Sequence, residues 1–127
     1  RSDILSIHVQ LSDRTRGLVG SRELSLMKPT AYLINTSRGP IVDEASLIQA
    51  LKSHAIAGAG LDVYDQEPLP PEHPLKYLGN TVITPHLGYV TIETYKIFYA
   101  DSVANIIAYL NGRPLRVLNS VVLGRNR

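Results

Sequence analysis

The chain has 127 residues, 44% of them hydrophobic, with a formal net charge of +2, a sequence pI near 9.0 and no cysteine. That length suits one domain able to bury about two-thirds of its unfolded surface, and the missing cysteines exclude disulfides and thiolate metal sites. No apolar run approaches the roughly 18 residues of a membrane helix, no signal-peptide pattern opens the chain, and the basic residues are scattered apart from Arg125 and Arg127, so neither a membrane nor a nucleic acid is expected as partner. The first residue is Arg1 and the sole methionine is Met27, so the sequence reads as a piece of a longer protein.

Residues 4–9 form an apolar run broken by Ser6 and His8, short enough for a buried parallel strand. A polar loop follows over 11–16. Residues 21–24 suit the start of a short helix with Ser21 as cap, ending before Lys28-Pro29, because the residue before a proline avoids the α region. The second strand, Tyr32-Leu33-Ile34, runs into polar residues and stops at Arg38-Gly39-Pro40. The pattern predicts a helix over 43–52, with Ala45, Leu47, Ile48 and Leu51 on its apolar face and acidic residues where the helix dipole favours them. A third strand lies within 55–64, where Gly58 and Gly60 indicate close backbone approach. Pro68, Pro70, Pro71 and Pro74 make 65–74 an extended loop, and 80–84 is the fourth strand. A long helix spans 91–110 and stops at Asn111-Gly112 before Pro114. Residues 115–123 are apolar enough to pack onto something, and the end beyond them is expected to fray. Strands alternating with helical segments predict an α/β class with a parallel sheet. With no helix before the first strand, this is the second half of a doubly wound sheet.

Successive strand ends carry His8-Val9-Gln10-Leu11, then Thr36-Ser37-Arg38, then Asp62 and His86, with Glu67 in the loop after Asp62. Parallel strands place such ends on one edge of the sheet, where open α/β proteins bind ligands. A guanidinium offers a planar fork of donors to a carboxylate or phosphate. An imidazole exchanges protons near neutrality, and a carboxylate can hold its other ring nitrogen. These are the parts for a proton-coupled reaction on a carboxylate substrate: Arg38 as clamp, His86 as proton carrier, Glu67 as its partner. Each has a duller alternative, as a solvated turn cation, a turn histidine and a solvated loop acid. Asp62 inside an apolar strand needs hydrogen-bond partners. His8 suits a hydrogen-bonded structural role, His54 and His73 look solvated, and the scattered histidine spacing gives no metal site.

Three motifs occur in order: Asn35-Thr36-Ser37-Arg38-Gly39 with Val42-Asp43-Glu44, Gly58-Ala59-Gly60-Leu61-Asp62-Val63 with Glu67-Pro68, and Thr84-Pro85-His86-Leu87-Gly88. Together they resemble the D-isomer-specific 2-hydroxyacid dehydrogenases over nearly the whole chain, from Ser2 to about Asn119. The resemblance implies a Rossmann-type fold and hydride transfer between NAD, with NADP not excluded, and a small 2-hydroxy or 2-keto acid. It implies a catalytic set of Arg38 on the substrate carboxylate, His86 as acid/base and Glu67 beside it. Thr36, Ser37 and Arg38 would line the nicotinamide side, Asp62 would bond the carboxamide, and His86 and Gly88 would complete that wall. His8-Val9-Gln10-Leu11 matches a family loop in which Gln10 replaces the usual proline.

No Gly-x-Gly-x-x-Gly turn precedes Ile4, so the pyrophosphate-binding half and the substrate domain are expected to be missing. Residues 1–119 are accordingly read as a partial NAD-binding domain and 120–127 as a tail. The isolated chain is expected to be inactive. The absent cysteines fit a cytoplasmic location, the resemblance implies a homodimer, and the isolated piece is expected to form a dimer or larger assembly, since the cut sheet leaves the first strand with an unpaired flank. Two other readings compete: a non-catalytic NAD-sensing module on the same scaffold, and a basic nucleic-acid binder. Intact Arg38, Glu67 and His86 argue against the first of these, and only pI and the Arg-rich end suggest the second.

Overall fold

The structure is a computed structural model and describes residues 2–119. The expected tail at 120–127, with its Arg-rich end, lies outside the described residues. The chain divides into two compact units, Arg1–Gly88 and Tyr89–Arg127.

The first unit is an open sheet of four parallel strands in the order β1-β2-β3-β4: Ile4–Ile7, Tyr32–Asn35, Gly58–Leu61 and Thr81–Ile83. The strands are shorter than the apolar runs that contain them. The first ends at Ile7, so His8 belongs to the loop, where its Nε2 lies 2.8 Å from the Ser6 hydroxyl. Two α-helices intervene, α1 (Ser21–Ser25) and α2 (Glu44–Lys52). Ser21 is the first helical residue of α1 and not its cap. Gly20 holds that position, and its N–H donates to the Glu23 carboxylate at 3.0 Å. Helix α2 starts one residue later than expected because Asp43 is its cap, with Oδ1 accepting from the Ser46 N–H at 2.8 Å.

Along β2, Leu33 and Asn35 are buried while Tyr32 is exposed, the period-two alternation of a strand with one covered face. Leu33, Leu61 and Ile7 join Leu24 of α1 and Leu47 and Leu51 of α2 in one core, closed at its far end by Ile56 and Leu75. Ala45, expected on the apolar face of α2, is exposed, and Ala50 is buried in its place. The inward stripe is therefore rotated toward the C-terminal side. Truncating a fully buried leucine such as Leu33 to alanine would cost about 2–5 kcal/mol. Gly58 is where close approach is needed: a Cβ there would lie 2.6 Å from the Asn80 carbonyl oxygen.

Connection β3 to β4 is the Pro-rich loop, closed by a 3-10 turn over Pro74–Tyr77 whose Leu75 enters the core. His73, expected in solvent, is instead mostly buried against Glu44 of α2.

The second unit is dominated by α3 (Ile92–Leu110), started by Thr91, whose hydroxyl accepts from the Thr94 N–H at 3.1 Å, and ended at Asn111 before Gly112. Its aromatic residues meet each other, Tyr95 edge-on to Tyr99 with centroids 5.5 Å apart. None of its residues is buried. Among the described residues no helix is long and apolar enough to cross a membrane.

Candidate active site

The register sets the site. Ile7, Asn35, Leu61 and Ile83 are successive partners across the sheet, so the residues that follow them form one row along the carboxyl edge. That row begins with His8, Thr36, Asp62 and Thr84.

Asn35 organises the second position. It is 1% exposed; its Oδ1 accepts from the Ser37 N–H and its Nδ2 donates to the Arg38 carbonyl, both at 3.0 Å. These bonds close a turn over Thr36 to Arg38 and leave the Arg38 side chain exposed. One guanidinium N–H donates back to the Ser37 carbonyl at 2.6 Å. The Ser37 hydroxyl donates to the Val9 carbonyl, joining the loops after β1 and β2. Gly39 has no room for a side chain, since a Cβ would fall 2.0 Å from the Tyr64 carbonyl carbon. The backbone after Arg38 therefore packs directly on the backbone that leads to Glu67.

Asp62 organises the third and fourth positions. It is 5% exposed, and its Oδ1 accepts from the Thr84 hydroxyl and from the Leu87 N–H at 2.8 Å, while Oδ2 accepts from the Gly88 N–H at 2.7 Å. Burial pushes this carboxyl up, but those bonds and the neighbouring His86 outweigh it and leave it below the usual aspartate range. The turn carrying His86 is thus built around an ionised aspartate. His86 itself has a φ of 57°, a left-handed conformation uncommon for a residue with a side chain. Tyr64 adds a second tie, its hydroxyl lying 2.8 Å from the Thr84 carbonyl oxygen and 3.0 Å from that of Leu61.

Glu67 and His86 meet. Glu67 Oε2 lies 2.7 Å from His86 Nδ1, and Oε1 accepts from the Tyr64 N–H at 3.0 Å. Burial again pushes the Glu67 carboxyl up, and the bonds from His86 and Tyr64 with the charges of His86 and Arg38 bring it below the usual glutamate range. An ionised carboxylate only accepts, so the ring proton on that side sits on Nδ1. Both side chains are about one-third exposed, at 35% each. A mostly apolar cleft of about 500 Å³ adjoins them, lined by Pro68, Leu69, Ile83 and Pro85 among others.

The structure thus gathers Arg38, Glu67 and His86 on one edge, with Thr36, Ser37, Asp62 and Gly88 in the same row of loops. His8 stands in that row but is engaged by the Ser6 hydroxyl, and His54 lies apart, exposed past the end of α2. Sequence reasoning gave no role to Asn35 or Tyr64. An asparagine ending an apolar strand just before a Gly-Pro turn is a readable Asx signal, whereas the two carbonyls reached by Tyr64 lie far apart in sequence.

A nicotinamide carboxamide would need a hydrogen-bond acceptor and open space beside it. Asp62 Oδ2 accepts from the Gly88 N–H where a carboxylate oxygen can take two bonds, and Gly88 leaves room beside that oxygen, because a Cβ there would lie 3.0 Å away. The row fits the nicotinamide end of such a cofactor.

The model of the D-isomer specific 2-hydroxyacid dehydrogenase NAD-binding domain matches residues 1–88. A glyoxylate reductase of Thermofilum pendens is 49% identical over 124 residues, 97% of this chain and 37% of the relative. The solved D-isomer specific 2-hydroxyacid dehydrogenase of Lactobacillus delbrueckii ssp. bulgaricus, in its NAD-complexed form, is 34% identical with a TM-score of 0.74, over 91% of this chain and 39% of that one. That of Xanthobacter autotrophicus Py2, in complex with NADPH and MES, is 42% identical with a TM-score of 0.70, over 93% of this chain and 47% of that one. The chain thus spans less than half the length of each of these proteins.

Proposed function

The chain belongs to the D-isomer specific 2-hydroxyacid dehydrogenases, in their NAD-binding domain, and from that premise we propose that it forms the nicotinamide-side half of an enzyme interconverting a small D-2-hydroxy acid and its 2-keto acid. The observation that carries the reading is the 2.7 Å contact of Glu67 with His86 Nδ1, within electrostatic reach of Arg38. When bound, the reduced nicotinamide supplies the hydride that reaches C2 of the keto acid. Arg38 holds the substrate carboxylate through paired N–H donors. Glu67 keeps a proton on Nδ1, so Nε2 is the nitrogen that delivers a proton to the carbonyl oxygen as charge develops there. In the oxidative direction Nε2 takes the hydroxyl proton. Thr36, Ser37 and Gly88 would line the nicotinamide, and Asp62 would accept from its carboxamide. NAD or NADP serves, and glyoxylate is the first substrate to try, given the names of the relatives.

Replacing His86 by glutamine in the intact enzyme tests this: turnover of glyoxylate should collapse while NAD binding persists, and undiminished turnover would exclude the role. The 127-residue chain alone should bind NAD negligibly and turn nothing over; a calorimetric titration showing tight binding would contradict that. The same reading makes the enzyme cytoplasmic, supported by the cysteine-free composition, and the isolated chain a homodimer, supported by β1 at the edge of its sheet. A monomeric mass by light scattering would exclude the dimer.

A further inference from the structure

We propose that Glu44 and His73 are a positioning pair that holds the Pro-rich loop where Glu67 can reach His86, an inference that rests on the roles just given to those two residues. Glu44 opens α2, which follows the Arg38 turn after a short 3-10 turn over Gly39–Ile41. Its Oε1 lies 2.9 Å from His73 Nε2, and its Oε2 accepts from the Asp65 N–H at 3.4 Å. One carboxylate therefore ties both ends of the loop that carries Glu67. His73 is held in turn: its Nδ1 accepts from the Leu75 N–H at 3.4 Å, and Leu75 is buried in the core. With Nδ1 accepting, the ring hydrogen on Nε2 points at Glu44.

The loop needs such a tie for a reason its sequence supplies. Pro68, Pro70 and Pro71 have no N–H, so this stretch has few backbone donors with which to anchor itself. The pair is also more buried than His86 and Glu67, with 15% and 20% of the two side chains exposed against 35% for each of the others. Placing Glu44 there has a cost. Burial and then the charges of Glu44 and Asp43 push the Asp65 carboxyl up, against the opposing pull of Arg16 and His73. A carboxylate needed only to start a helix would not have to crowd Asp65.

The test reads Glu67 directly. In the full 127-residue chain, labelled so that the Glu67 side-chain carbon is followed by NMR, Glu44→Ala should move the Glu67 titration up toward an ordinary glutamate. His73→Ala should do the same, and the double variant should add nothing further, as for two members of one contact. Glu44→Gln, which keeps an acceptor oxygen for His73, should restore most of the wild-type titration, and it carries the test if the alanine variants fail to fold. In the intact enzyme Glu44→Ala should lower kcat on the order of tenfold with KM for NAD unchanged, as small displacements at a site do. An unmoved Glu67 titration in a folded Glu44→Ala chain overturns the proposal. So does an equal shift in Leu51→Ala, which would mark it as general loosening. Should His86→Gln leave turnover intact, the functional reading falls, while the Glu67 titration still decides whether the pair positions the loop.

Discussion

Two His–Glu pairs stand at either end of one loop, and their difference is the basis for proposing that one holds and the other works. Glu67 with His86 lies at the carboxyl edge of the sheet, one-third exposed, beside a cleft and within the field of Arg38. Glu44 with His73 lies deeper, against the core, with a backbone amide on each partner. The chemistry is the same in both, a carboxylate against one ring nitrogen. What differs is the rest of the ring's surroundings. His73 has its other nitrogen committed to the Leu75 N–H, so proton exchange there would break the turn that precedes β4. His86 stands on a strained turn fastened from beneath by Asp62 and is presented at the ligand edge.

The largest effect expected tests that division. His86→Gln should cost about 100- to 10,000-fold in kcat, the usual range for a lost general acid–base, and His73→Gln only on the order of tenfold, through misplacement. Steady-state kinetics on both variants would invert the assignment if the order came out reversed. Next comes Arg38→Lys. A lysine retains the charge but not the fork, so KM for the keto acid should rise by about 10- to 100-fold, matching roughly 1.5–3 kcal/mol for a charged hydrogen bond. An unchanged KM would leave Arg38 as the solvated turn cation of the plainer reading.

A stability measurement sharpens the comparison on the site's own side. Folded Asp62 and Glu67 both sit below their ordinary ranges, so the native state binds fewer protons than the unfolded one in acid. Their contribution is present above the ordinary carboxylate value, about 4, and is lost as pH falls through the folded values. Asp62→Asn should remove the Asp62 part of that pH dependence. It should also cost about 1–3 kcal/mol at neutral pH, because an amide cannot accept on both sides and one part-buried N–H loses its partner. Denaturant melts from neutral pH downward would show the variant's curve flattened; an unaltered slope would mean that the aspartate is not what fastens the turn.

Much of the edge was legible in the letters. Short apolar runs, each ending in polar residues, gave parallel strands, and parallel strands leave no choice about which ends come together. Arg38, Glu67 and His86 could be read because each is a chemically distinctive residue at such an end. Asp62 was legible only as a buried charge in need of partners; that these are the Thr84 hydroxyl and the N–H groups of Leu87 and Gly88 depends on a turn across β4. His73 was misread for a related reason. Four prolines and several polar residues look like solvent-exposed loop, and nothing local says that α2 brings Glu44 against it. The boundary of α1 was missed by one residue because Gly20 caps through its backbone, with Glu23 reaching back, and a glycine carries no capping side chain to notice.

The smallest effect expected concerns the tension where Glu44 meets the start of the loop. Asp65 is raised when folded, chiefly by burial and by Glu44 and Asp43, so its sign is opposite to that of Asp62. Stability from this group is present below the unfolded value, about 3.9, and declines as pH rises through the folded one. Asp65→Asn should therefore stabilise the chain at neutral pH, by about 0.2–1 kcal/mol for so exposed a position, and should do nothing below about pH 3, where both states are protonated. Thermal melts at the two pH values would show the gain appear only in the upper one. The variant keeps the Asp65 N–H that Glu44 accepts, so the Glu67 titration should stay where it is. A gain at neutral pH with an unmoved Glu67 would show that the repulsion between Asp65 and Glu44 can be relieved without disturbing the Glu67–His86 pair, which requires the tie to act through the backbone and His73 and not through the Asp65 charge.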